Sequence, residues 1–301
     1  MATTTQQGPT SSAPWPEHFR LTGPSQRPDP RTHAYRRDIA DVALAGMLFA
    51  PHFARAVECH VASDSVMVLS EPSAEARAVS QLLRGEGFAL LDLSGDWAWG
   101  RCLHDDYVGY IPRATLDAIA EPTFRVCAPS ALVFAGPDIK TPIVGQWPLG
   151  TRFSGAIEGT FIATENGYVH ARHAEPLQAK ADDFVAVAER LIGQPYRWGG
   201  RGAGGIDCSG LVQVALGFSG VATPRDSDQQ RALGEELAAD APLRRGDLIF
   251  FPGHVGIMTD AATLLHANAF WMAVTREPLA DVVTRLLPDY AEPILARRRL
   301  A

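Results

Sequence analysis

The sequence predicts an α+β protein: two small β-barrels, then a domain in which a cysteine-bearing helix accompanies antiparallel strands. Three observations carry this. Residues 55–117 and 122–176 are successions of short β-rich runs broken by turn residues. Residues 196–213 pack glycine densely and then pass through Asp207-Cys208-Ser209-Gly210 into the apolar run Leu211–Leu216. Residues 243–258 read as a strand (Leu248–Phe251), a Pro-Gly turn and a second strand opening at His254.

A chain of 301 residues has room for two or three domains. The formal net charge of −7 gives no reason to expect nucleic acid or an anionic membrane as partner. Cys59, Cys102, Cys127 and Cys208 form no Cys-x-x-Cys and no close pair, which argues against a disulfide framework. No apolar stretch approaches the ~20 residues of a membrane span. Met1–Pro9 lacks a basic segment followed by an apolar one, so the expected location is the cytoplasm.

In chain order, Thr-, Ser- and Pro-rich residues 1–32 read as a loosely packed arm. Residues 34–50 place Ile39, Val42, Ala43 and Met47 at helical spacing and predict a docking helix, with Gly46 as its weak point. The first barrel is expected from strands at 58–61, 66–69, 89–93, 97–102 and 107–111, the second from 124–126, 131–134, 151–156, 160–163 and 167–171. A helix at 181–191 follows, from the stripe Phe184, Val187, Ala188, Leu191. The expected boundaries are 1–54, 55–117, 118–178 and 179–301.

The chemistry centres on Cys208. Asp207 is a good N-cap, so the cysteine falls on the first turn of a helix, where the macrodipole is expected to lower the thiol pKa. The same cysteine also reads as a small buried hydrophobe. A nucleophile needs a base and the base an orienting group. His254 opens one strand and His266 sits inside the next, so a hairpin would set them side by side. The oxyanion donor would be the Cys208 backbone N–H. Zinc held by Cys208, His254 and His266 is disfavoured, since catalytic zinc more usually takes His/Glu sets. No metal or other cofactor is expected.

Asp207-Cys208-Ser209-Gly210, Arg244-Arg245-Gly246-Asp247-Leu248, His254-Val255-Gly256-Ile257 and His266, in that order, resemble the NlpC/p60-type cysteine peptidases of bacterial cell walls. Leu82–Glu86 and Gly95–Trp99 are similar to the bacterial SH3-like domains that often precede them. The resemblance implies a pared-down papain fold, Tyr196 as second oxyanion donor, and hydrolysis of the γ-D-glutamyl–diamino acid bond (diaminopimelate or lysine) in murein peptides with a free N-terminal L-Ala. It further implies an amine pocket at Asp207 and Ser209, with Tyr107 and Glu71 from the first barrel and Ser227 in the segment Arg225-Asp226-Ser227 touching substrate. Two other readings stay open: a papain-like amidase or acyltransferase, and a non-catalytic peptide-binding scaffold. The triad leaves the first open; its completeness argues against the second.

Overall fold

The computed structural model describes residues 27–118 and 121–300, so most of the expected arm at 1–32 lies outside it. The protein is α+β, with few helices and many antiparallel strands. The first barrel is a seven-stranded sheet ordered 78–83, 65–69, 108–112, 97–102, 87–94, 57–61, 116–118. Its centre holds Val61, Val68, Leu82, Phe88, Ala98 and Ile111, all fully buried. The second barrel combines a five-stranded sheet (143–148, 130–134, 167–170, 161–164, 156–158) with a three-stranded one (152–153, 124–126, 174–176) around Trp147 and Phe153.

Strand Ala78–Leu83 was not expected, because Ser80 and Gln81 interrupt its apolar alternation. Both are nevertheless buried. The reason is inter-domain: Gln81 Oε1 accepts from the Arg201 backbone N–H at 2.9 Å, and Ser80 Oγ accepts from Arg225 at 3.1 Å. The barrel thus turns a polar face to the last domain, and the hydrogen bonds offset the desolvation of those side chains.

The helix expected at 34–50 does not form. Ile39–Asp41 is a strand paired in parallel with His52–Ala54, and Val42–Leu44 is a single 3₁₀ turn. Two residues defeat the helical stripe. The Asp41 side chain accepts from the Ala43 backbone N–H, a local bond that competes with a helix, and Gly46 sits at φ +86°. The segment still docks on the first barrel, through Ala34 against Leu91 and Trp99.

In the last domain, helix α1 (Phe184–Glu189) is shorter than expected because Asp183 caps it, accepting from the Val185 and Ala186 N–H groups. Helix α2 (Cys208–Phe218) is buried along nearly its whole length. It packs on a six-stranded sheet ordered 235–236, 296–299, 248–251, 254–258, 263–268, 273–278. The short helix α3 (Ser227–Gln230) lies beside it, and α4 (Leu279–Leu286) covers the opposite sheet face through Val282 against Ile249, Phe251 and Leu264. Cysteine and histidines therefore come from a rigid core helix and from adjacent core strands.

Candidate active site

The glycine loop delivers Cys208. Gly205 holds φ +133°, and a Cβ there would fall 2.7 Å from the Pro195 carbonyl oxygen. A Cβ on Gly210 would fall 2.4 Å from the Gly200 carbonyl oxygen, so the loop lies directly on the first turn of α2. Asp207 caps that turn, accepting from the Gly210 N–H at 2.7 Å. Cys208 follows as the first helical residue, 7% exposed. The expected low thiol pKa is not found. Burial, and after it the Asp207 charge, pushes the thiol up to about 11, against a smaller opposing effect of the Val255 and Ser209 backbone N–H groups. Desolvation outweighs the helix end here.

His254, which keeps one edge open, follows the Gly253 turn. Its Nε2 lies 2.8 Å from Nδ1 of His266. His266 is 1% exposed, and its own Nε2 lies 2.7 Å from Oε1 of Glu277. Glu277 in turn accepts two bonds from Arg285 of α4, at 3.0 and 2.8 Å. The imidazoles address each other rather than a common point, which is not how ligands to a zinc ion converge. Burial, and then the neighbouring His266, pushes His254 down to about 3; burial likewise lowers His266. Both rings are neutral at neutral pH.

Cys208 opens into a cleft of about 560 Å³ lined by both the last domain and the first barrel. Tyr196 stands in its wall, and burial holds its hydroxyl up at about 12, so it stays a donor. Tyr107 reaches in from the first barrel and donates to Asp226 Oδ2 at 2.9 Å. Ser209 and Ser227 also line the cleft. Glu71 does not: it is exposed on its turn, and Ser70, Arg77 and Val79 take that side. Asp207 reaches the cleft wall but carries no spare charge. Arg225, 1% exposed, grips both its oxygens at 2.9 and 2.6 Å, and Gly199 and Gly210 donate to it as well. Asp207 therefore has no carboxylate oxygen free for an amine, whereas Asp226 lines the same cleft.

Two contributors escaped sequence reasoning. Glu277 comes from a further strand, with no motif around it. Arg31 comes from the far N-terminal side of the chain and bonds Asp29, Asp226 and Asp228 together at the cleft edge. One guanidinium there ties three carboxylates together.

Comparison with known proteins agrees with this arrangement. The NlpC/P60 family model matches residues 193–283, and the bacterial dipeptidyl-peptidase SH3 domain model matches residues 68–116. The dipeptidyl-peptidase 6 of Lysinibacillus sphaericus is 28% identical over 66% of this chain and 83% of that protein. The gamma-D-glutamyl-L-lysine dipeptidyl-peptidase of Bacillus subtilis is 30% identical over 46% of this chain, a match that spans about half (52%) of that protein. The solved NlpC/P60 family protein from Bacillus cereus shares the fold, with a TM-score of 0.68 over 81% of this chain and 99% of that one, at 20% identity. The chain therefore carries an NlpC/P60-family domain behind a bacterial dipeptidyl-peptidase SH3 domain.

Proposed function

We propose that this protein is a cysteine endopeptidase that cuts the γ-D-glutamyl–diamino acid bond of murein peptides bearing a free N-terminal L-Ala. The observation that carries the reading is Cys208 at a capped helix start, beside a strand whose His254 is hydrogen-bonded at 2.8 Å to His266. In the mechanism, Cys208 Sγ attacks the amide carbonyl while His254 takes the thiol proton. The Cys208 backbone N–H and the Tyr196 hydroxyl receive the developing oxyanion. His254 then protonates the leaving amine, and water, activated by the same imidazole, hydrolyses the thioester.

The lining of the cleft supports this substrate class. An ammonium group needs acceptors, and Asp226 Oδ1, the Tyr107 hydroxyl oxygen and Ser227 offer them. Arg77, held over Trp198 at 4.7 Å, and Arg231 line the same cleft as counterparts for substrate carboxylates. A demand for a free N-terminus suits fragments already released from the wall, which is the basis for proposing an intracellular recycling role. Immunoblotting of fractionated cells tests that location: signal in the cell-surface fraction would remove it. Digestion of L-Ala-γ-D-Glu-diaminopimelate and the matching lysine tripeptide, followed by mass spectrometry, tests the bond and the third residue together. An amide or ester substrate of another class turned over faster than either would favour the amidase reading.

A further inference from the structure

We propose that Glu277, pinned by Arg285, is a positioning residue that keeps the protons of His266 and His254 on Nε2 and so presents His254 Nδ1 to Cys208 as the base. This rests on the peptidase reading of the site. It adds a fourth member whose effect is transmitted through His266.

The argument starts from what each group is able to do. A carboxylate only accepts hydrogen bonds, so the 2.7 Å contact requires His266 to carry its proton on Nε2. A neutral imidazole has one N–H, so His266 Nδ1 is then an acceptor. The 2.8 Å contact on that side requires His254 to donate from Nε2. The remaining lone pair of His254 is on Nδ1. The contacts fix both tautomers as long as the far group accepts and does not donate, which a carboxylate guarantees and an amide, free to turn its NH2 inward, does not. Glu277 is held for this task. It pairs with Leu264, two residues along from His266 on the same sheet face, and its side chain is 11% exposed. Arg285 takes both its oxygens and itself lies over the Phe270 ring at 4.1 Å.

The charge balance points the same way. When the Cys208 proton moves to His254 Nδ1, the ring becomes imidazolium with its Nε2–H still bonded to His266. The carboxylate of Glu277 faces that positive charge across His266. The charged groups acting on His254 are His266, Arg285 and Glu277; the two former oppose its protonation and Glu277 alone supports it. The Cys208 thiol lies against the backbone N–H of Val255, the residue after His254.

The test compares the full-length wild type with Glu277→Gln, Glu277→Asp and Arg285→Gln in two assays. One measures kcat and KM for the tripeptide against pH. The other measures iodoacetamide alkylation of Cys208 against pH by peptide mass spectrometry, and needs no substrate. For Glu277→Gln the expected result is a fall of roughly 10²-fold in kcat and in alkylation rate at neutral pH, with KM little changed. The acid limb of both profiles should move to lower pH, since the group supporting imidazolium is gone. Glu277→Asp should recover part of the loss, and Arg285→Gln, which loosens Glu277, should lower both rates more weakly, but without the shift of the acid limb to lower pH, since it removes a charge that opposes imidazolium. Wild-type rates in Glu277→Gln, or a loss with unshifted pH limbs and no recovery in Glu277→Asp, would overturn the proposal. Should wild-type protein leave the tripeptide intact, the alkylation profiles still decide on Glu277, while the substrate reading falls by itself. Should the Glu277→Gln chain not fold, Glu277→Asp decides by rate: a partial loss of kcat and of alkylation rate at little-changed KM is expected, and wild-type rates would overturn the proposal.

Discussion

The Tyr107 phenol donates to Oδ2 of Asp226 at 2.9 Å, across 119 residues of sequence and from the first barrel to the last domain. The barrel is thereby part of the cleft. Two bonds join the domains, Arg201 to Glu86 at 2.6 Å and Gln213 to Asp105 at 2.8 Å, and Arg201 donates to Gln213 at 2.5 Å within the last domain, linking the two. Walls supplied by both domains are the basis of the proposed preference for a chain end over a chain middle.

Tyr107→Phe and Asp226→Asn should therefore lower kcat/KM for the free-amine tripeptide and leave the already poor N-acetylated peptide where it is. A hydrogen bond to a charged group contributes about 2 kcal/mol, roughly 30-fold. Steady-state kinetics on the peptide pair checks this; equal losses on both peptides would point to damage of the cleft rather than loss of amine recognition.

In the proposed mechanism Tyr196→Phe removes one oxyanion donor and little else, since the phenol has no hydrogen-bond partner among the described residues. The expected loss is about 10²-fold in kcat with KM nearly constant. Stopped assays at saturating substrate measure it, and a change confined to KM would assign Tyr196 to binding instead.

Acid should weaken the fold through His254. Its folded-state pKa, about 3, lies below the ordinary histidine value of 6.5, so between those two values the unfolded chain binds more protons. That stability contribution is complete above about 6.5 and is lost as pH falls toward 3. Thermal melts of His254→Gln against the wild type should converge across this window as pH falls; parallel curves would contradict the burial argument.

Arg225→Ala should be severely destabilising. It strands the buried carboxylate of Asp207 and removes the donor to Ser80 and Ser209, a loss of roughly 3–5 kcal/mol. The double change Arg225→Met with Asp207→Asn should recover much of this in urea denaturation, because no unpaired charge is left.

What the sequence revealed depended on how local each signal was. The Asp207 cap and Cys208 are encoded within a few residues, and the His254 and His266 strands follow from apolar runs around one Pro-Gly turn. Strand Ala78–Leu83 was illegible because Ser80 and Gln81 are buried against partners more than a hundred residues away. Glu277 was illegible for a related reason: its meaning comes from strand register, which no short motif records. The 34–50 helix was misread because a helical stripe counts apolar positions and ignores the Asp41 side chain that caps a single turn. Glu71 is exposed beside Ser70, the residue of that turn that lines the cleft.

The most direct test of the account is digestion of L-Ala-γ-D-Glu-diaminopimelate and of its N-acetylated form by the wild type and by Cys208→Ala, read by mass spectrometry. The account predicts release of L-Ala-γ-D-Glu from the free peptide alone, and none with Cys208→Ala. Equal cutting of both peptides would contradict the amine pocket. Cutting by Cys208→Ala would contradict the nucleophile, and intact peptides throughout would return weight to the amidase or scaffold readings.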